Sequence, residues 1–160
     1  MEGAGANVHV DAGTAPLPRL LRAASAAYRD AAREALAAVG CDDVPRNGGF
    51  LLASLDRPSM DVFIPQAEAV AFLGLSKQAA SQLIDTLVVR GYLERRSDPD
   101  DRRRMGLRLT DRGGAASEAI QRAAAGVEGA LARRIGAEDL QRLRAGLAAL
   151  GELGGQPLAD

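Results

Sequence analysis

The segment that decides the fold is residues 76–113, which read SKQAASQLIDTLVVRGYLERRSDPDDRRRMGLRLTDRG. Ser76 suits the N-cap of a helix over residues 77–90, and Gly91 would end that helix. A strand over 92–96, a charged loop over 97–104 and a strand over 105–109 follow, the last with alternating apolar residues. Thr110 then suits the cap of a further helix. The segment predicts a helix followed by a β-hairpin.

The predicted helix has two different faces. Ala80, Leu83, Ile84 and Leu87 form an inner apolar stripe at helical spacing. The opposite face has short polar or basic side chains near the helix start, namely Ser76, Lys77, Gln78, Ser81 and Gln82. Such side chains suit a helix that reads base edges in the major groove of double-stranded DNA, with the lysine on a phosphate. An ordinary amphipathic surface helix is the alternative.

The hairpin loop, DPDDRRR at residues 98–104, favours the DNA interpretation. Adjacent arginines repel each other in solvent, but they suit the concentrated negative potential of a minor groove. We expect Arg103 to enter the groove, Asp101 to orient it through a bidentate contact, and Arg102 and Arg104 to contact phosphates. A salt-bridged turn without a ligand is the alternative.

Charge is distributed unevenly along the chain. The formal net charge is −1, but residues 76–112 hold nine basic and six acidic side chains, against eleven and fifteen elsewhere. A basic segment on an acidic protein is typical of a surface that binds a polyanion. The single cysteine, Cys41, excludes an internal disulfide, and we expect it to be a buried or inert thiol. With no signal peptide or membrane-spanning run, a soluble cytoplasmic protein is expected.

Helices are also predicted on both sides of this segment. They cover residues 16–39, 46–55, 65–73, 111–135 and 137–153, with Pro65 in a first helical turn and a short β-like stretch at 60–64. Phe50, Leu51 and Leu55 are expected to face inward. The helices at the chain ends carry more apolar surface than a small DNA-reading core needs. They pack on each other within one chain or, as we favour, form the interface of a homodimer.

Residues 73–114 resemble the winged helix-turn-helix core of the multiple-antibiotic-resistance regulator (MarR) family, through LGLSKQAASQ, GYLER, DPDDRR and LTDRG in that order. The resemblance implies a mainly α fold with a small β-hairpin wing (α+β). Residues 1–14 lack periodicity and are rich in Gly and Ala, so we expect a disordered tail there. The resemblance implies one MarR-like domain at 15–155, with a DNA-binding lobe at 46–112 and dimerisation helices at 16–40 and 113–153. It further implies a homodimer on a pseudo-palindromic operator, more often a repressor than an activator.

The resemblance also implies a small aromatic or phenolic effector, bound in a crevice between the dimer helices and the DNA-binding lobe. Candidate contacts for it are Tyr28, Phe50, Phe63 and Arg19, with Arg22 as an alternative to Arg19. More often such aromatic residues are simply core residues. No cofactor is expected, and no metal, because the one histidine, His9, lies in the predicted tail.

The sequence also bears on two other classes of function. A winged-helix protein-interaction module that has lost DNA binding is the alternative, supported by the negative net charge. An enzyme is not expected, because no nucleophile has a base partner, no glycine-rich loop follows a strand and no paired carboxylates occur.

Overall fold

A computed structural model of the chain describes residues 13–55, 64–97 and 105–153. Its helices are α1 (Leu17–Ala38), α2 (Gly48–Leu55), α3 (Gln66–Phe72), α4 (Lys77–Val89), α5 (Asp111–Ile135) and α6 (Ala137–Glu152). Its strands are β1 (Ile64–Pro65), β2 (Leu93–Ser97) and β3 (Met105–Leu109). The mainly α fold with a β-hairpin wing, formed by β2 and β3, is therefore confirmed. Most of the predicted tail and the stretch at 60–63 lie outside the described residues.

The three strands form one antiparallel sheet in the order β1–β3–β2. In β3, Leu107 pairs with Ile64 on one side and with Arg95 on the other. Pro65 lies in β1 opposite Gly106, so the prediction that it opens a helix was wrong by one residue. Proline has no N–H to donate, and it is tolerated here because β1 is an edge strand.

The core joins the helices at the chain ends to the hairpin. It contains Leu36, Cys41, Leu51, Leu52, Leu55, Ala69, Ile84, Leu87, Tyr92, Leu93, Leu107, Ala116 and Ile120. Cys41 is buried as expected, with 2% of its surface exposed. Long-range contacts between these buried residues hold α4 against α2 and the sheet. Because α4 is the helix predicted to read DNA, it is called the recognition helix.

Phe50 does not face the core as predicted, since 64% of its surface is exposed. In the eight-residue helix α2, Leu51, Leu52 and Leu55 occupy the buried face. Phe50 lies well over 90° around the helix from Leu52 and Leu55, so one short helix could not bury all of them. The apolar residues of α1 are likewise mostly uncovered within one chain: Leu36 is buried, whereas Leu17 and Tyr28 are exposed.

The joint between α4 and β2 is a tight turn at Gly91, whose φ is +73°. The Gly91 N–H donates to the Val88 carbonyl at 3.0 Å and the Tyr92 N–H to the Leu87 carbonyl at 2.9 Å. This pattern closes the helix with a left-handed residue, which glycine adopts without a Cβ clash. The turn directs the chain from the recognition helix into the hairpin.

Candidate nucleic-acid interface

The first part of the candidate interface is the N-terminal half of α4. The Ser76 hydroxyl accepts from the Ala79 N–H at 3.3 Å, which confirms the predicted N-cap. Ser76, Lys77, Gln78 and Gln82 are exposed, and Ser81 is half-buried. Because Ala80, Ile84 and Leu87 face the core, the predicted contact residues are left on the solvent side of the helix.

The second part is the hairpin formed by β2 and β3. Its five paired positions run from Leu93 opposite Leu109 to Ser97 opposite Met105. The predicted groove-binding residues of its loop, Asp101, Arg102, Arg103 and Arg104, lie outside the described residues. The described residues that flank the loop, Ser97 and Met105, pair at the far end of the hairpin from α5.

A salt bridge connects the two parts. The guanidinium of Arg95, on β2, donates to the Asp85 carboxylate on the exposed side of α4. The Asp85 carboxylate, although on the exposed side of α4, is therefore paired with the hairpin. Sequence spacing gave no sign of this pair, because it depends on how the hairpin folds back toward α4.

At the base of the hairpin, α5 packs unusually close to the start of β2. A Cβ added at Gly113 would lie 2.0 Å from the Tyr92 carbonyl oxygen. The Thr110 hydroxyl caps α5 by accepting from the Gly113 N–H at 3.0 Å, and the Thr110 N–H donates to the Tyr92 carbonyl at 3.1 Å. The TDRG motif thus joins the hairpin to the long helix α5.

A crevice of about 750 Å³ lies between α1, α2, α5 and the loop that connects α1 to α2. This volume is within the range of small-molecule sites. Of the predicted ligand contacts, Tyr28 and Phe50 line this crevice, whereas Arg19 and its alternative Arg22 do not. Phe63 lies outside the described residues.

Three arginines that were not predicted line the same crevice, namely Arg29, Arg33 and Arg46. Arg33 also pairs with Asp30 at 3.2 Å. Arg29 and Arg33 are one helical turn apart and adjoin the face that carries Tyr28 and Leu36. Spacing along α1 does not separate these two arginines from Arg22, so the packing of α2 and α5 on the helix decides which arginines line the crevice.

The described residues contain no group of three or more His, Cys, Asp or Glu side chains that could hold a metal ion. Within the same ranges, no helix has the length and apolar character needed to cross a membrane.

The sequence and the fold both match known regulators. A model of the MarR family matches residues 50–104. MepR of S. aureus, solved in a DNA-binding conformation, is similar with a TM-score of 0.69 and 22% identity, over 86% of this chain and 98% of that one. A structure of MarR gives a TM-score of 0.65 and 25% identity over 91% and 95% of the two chains.

The transcriptional repressor CouR, solved with a 23-mer DNA duplex, gives a TM-score of 0.66 and 25% identity, over 85% of this chain and 92% of that one. No curated protein matches the sequence. The family match covers the recognition helix and the first hairpin strand, β2, and the structural matches extend over the flanking helices. Residues 50–104 are thus similar in sequence to the MarR family, and the chain has the same fold as MepR and MarR over most of its length.

Proposed function

We propose that this protein is a homodimeric repressor that binds a pseudo-palindromic operator and is released by a small aromatic acid. The observation that supports DNA reading most directly is the exposed polar face of α4, where Gln78 and Gln82 lie one turn apart. Glutamine can bond adenine N6 and N7, so the pair can address neighbouring base steps. Lys77 and the helix N-terminus suit flanking phosphates.

The proposal of a dimer rests on the apolar surface that α5 and α6 leave uncovered in one chain. Exposed large apolar residues at helical spacing run along α6, with Ile135 at the end of α5: Leu143, Leu147, Leu150 and Leu153. A contiguous apolar face of this kind is typical of an interface rather than of a solvated helix. To read successive major grooves, such a dimer would need its two α4 helices about 34 Å apart.

The ligand class follows from the crevice lining. Tyr28 and Phe50 offer aromatic surfaces, and Arg29, Arg33 and Arg46 offer positive charge beside them. A planar aromatic carboxylate matches this combination, because its ring can stack while a guanidinium binds its carboxylate through two parallel bonds. The crevice adjoins both α1 and α2, so a ligand there can bias how the DNA-binding lobe is held.

DNA binding can be tested by fluorescence anisotropy on a labelled fragment from upstream of the protein's own gene, at two salt concentrations. We expect affinity to fall steeply with salt, since each neutralised phosphate releases counterions. Gln78→Ala should weaken binding by about 1–3 kcal/mol on the matching base pairs. Arg103→Ala should weaken binding while the dimer remains folded. Wild-type affinity in both variants would contradict the assigned reading surfaces.

The negative net charge supports one other function, a winged-helix protein-interaction module. The same titration, followed by a genome-wide pull-down of bound DNA, separates the two. Binding that does not change with salt, together with no enrichment of any DNA fragment in the pull-down, would favour the interaction module. Recovery of discrete promoter fragments would exclude it.

The ligand can be tested with salicylate as the probe, measured by calorimetry and by its effect on DNA affinity. Arg29→Gln should weaken salicylate binding about tenfold or more, as expected for the loss of a charged hydrogen bond of about 1.5–3 kcal/mol. Arg19→Gln is the matched comparison, because Arg19 is exposed on the same helix but outside the crevice. A larger loss in Arg19→Gln would instead favour the ligand contact predicted from the sequence.

A further inference from the structure

The loop between α1 and α2 carries an aspartate that contacts three other parts of the fold. One carboxylate oxygen of Asp43 accepts from the buried Tyr92 hydroxyl and from Arg112 Nη2, the latter at 2.8 Å. The backbone carbonyl of Asp43 accepts from the Arg90 guanidinium. Asp43 is thereby bonded to the end of α4, the start of the hairpin and the start of α5.

Its partners are also bonded to one another. Arg112 Nη1 donates to the Arg90 carbonyl at 2.6 Å, and the Arg112 guanidinium carbon lies 4.3 Å from the centre of the Tyr92 ring. The Tyr92 side chain is fully buried. A cation over an aromatic face adds a favourable interaction to these hydrogen bonds. We call Asp43, Arg90, Tyr92 and Arg112 the wing-root cluster.

The protonation states in the cluster favour strong bonds. Burial, together with the bond to Asp43, raises the pKa of Tyr92, so its hydroxyl remains a donor. The hydroxyl of Tyr92, assisted by Arg112, lowers the pKa of Asp43, so its carboxylate remains charged. Hydrogen bonds to an ionised acceptor are stronger and more directional than neutral ones.

The residues on both sides of Asp43 belong to the crevice. Asp42, Val44, Pro45 and Arg46 all line it, whereas Asp43 itself does not. The same short loop is therefore one wall of the crevice and one face of the wing-root cluster. A displacement of this wall moves the carboxylate that holds Tyr92, the residue immediately before β2.

We propose that Asp43 is a positioning residue that connects the crevice wall to the root of the wing, so that the orientation of the hairpin follows the loop. A role of this connection in DNA binding rests on the function proposed above. The connection itself is a property of the free protein, and it can be measured without DNA or effector.

The first test is hydrogen–deuterium exchange of the free dimer, comparing the wild type with Asp43→Asn and Tyr92→Phe. Asp43→Asn removes the charge at nearly constant shape, and Tyr92→Phe removes the hydroxyl and keeps the ring over which Arg112 lies. We expect the amides of β2 and β3 to exchange several-fold faster in both variants, with those of α6 unchanged. Glu118→Gln, an exposed site on α5 outside the cluster, is the control. Unchanged exchange in β2 and β3 in either folded variant overturns the proposal.

The second test asks whether Asp43 acts through the wing. We expect Asp43→Asn to weaken operator binding roughly five- to tenfold, the lower part of the usual range for coupled sites. If the hairpin is no longer held in place, Arg103→Ala should lower operator affinity by a smaller factor in the Asp43→Asn background than in the wild type. We expect the logarithm of that factor to be roughly half the wild-type value or less. Additive losses would show that Asp43 stabilises the fold without positioning the wing. A wild type that binds no DNA would refute the proposed function, while the exchange data would still decide the connection.

Discussion

Gly113 and Gly114 are adjacent in α5, and the structure predicts opposite effects when each is changed to alanine. A Cβ at Gly113 would lie 2.0 Å from the Tyr92 carbonyl oxygen and 3.1 Å from Leu109 Cδ2, whereas nothing lies within 4 Å of one at Gly114. Both changes are Gly→Ala at neighbouring positions of the same helix. The difference between them is therefore the space around the added methyl group.

The magnitude follows from which atom must move. The clashing atom at Gly113 is a backbone oxygen held by the Thr110 N–H at 3.1 Å, so relief requires α5 to shift from the hairpin root. Overpacking costs about 1–3 kcal/mol, and this rigid contact places it near the upper value. Replacing glycine by alanine within a helix stabilises it by about 1 kcal/mol through helix propensity. The net loss is about 2 kcal/mol, or about 4–8 °C in Tm for a chain of this size.

The assay is thermal and urea unfolding at one fixed protein concentration, because the proposed dimerisation would make Tm depend on concentration. Gly114→Ala should gain about 0.5–1 kcal/mol, the usual benefit of replacing a helical glycine in open space. Gly113→Ala should also weaken operator binding, since the same contact places the root of the wing. Equal or greater stability for Gly113→Ala than for the wild type would refute the close packing of α5 on Tyr92.

Three further outcomes are expected. Ser76→Ala should cost about 1 kcal/mol by removing the acceptor for the Ala79 N–H, while Ser76→Asp should retain stability; an equal loss of Tm in both would contradict the cap. The Tyr92 hydroxyl lowers the pKa of Asp43 in the folded protein. The stabilisation that the charged Asp43 carboxylate contributes is therefore present above the unfolded-state pKa of about 3.9, and it is lost as pH falls through the lower folded-state value. The Tm gap between the wild type and Asp43→Asn should therefore narrow below about pH 4, and a constant gap from neutral pH to pH 3 would argue against the assignment. Leu147→Glu should yield monomers in sedimentation velocity by placing a charge on the exposed apolar face of α6, and an intact dimer would move the interface elsewhere.

Much of the fold could be predicted because its strongest signals are local. The bounds of β3 at Met105–Leu109 and of α5 at Asp111–Ile135 agree with those expected from alternation and capping. The polar face of α4 was likewise predictable, because helical spacing alone separates Gln78 and Gln82 from Ile84. Local patterns fail where competition for the core decides, as they did for Phe50.

The amino-acid sequence by itself determined the order of helices and strands, the N-cap at Ser76 and the position of the turn at Gly91, since each depends on a few neighbouring residues. Only the tertiary structure decided that Arg29 rather than Arg19 lines the crevice, and that Asp43 holds Tyr92 and Arg112. Asp43 and Arg112 are 69 positions apart in the chain. No periodicity relates residues at that separation, and their contact exists because packing of α1, α4 and α5 around one core brings the loop to the root of the wing.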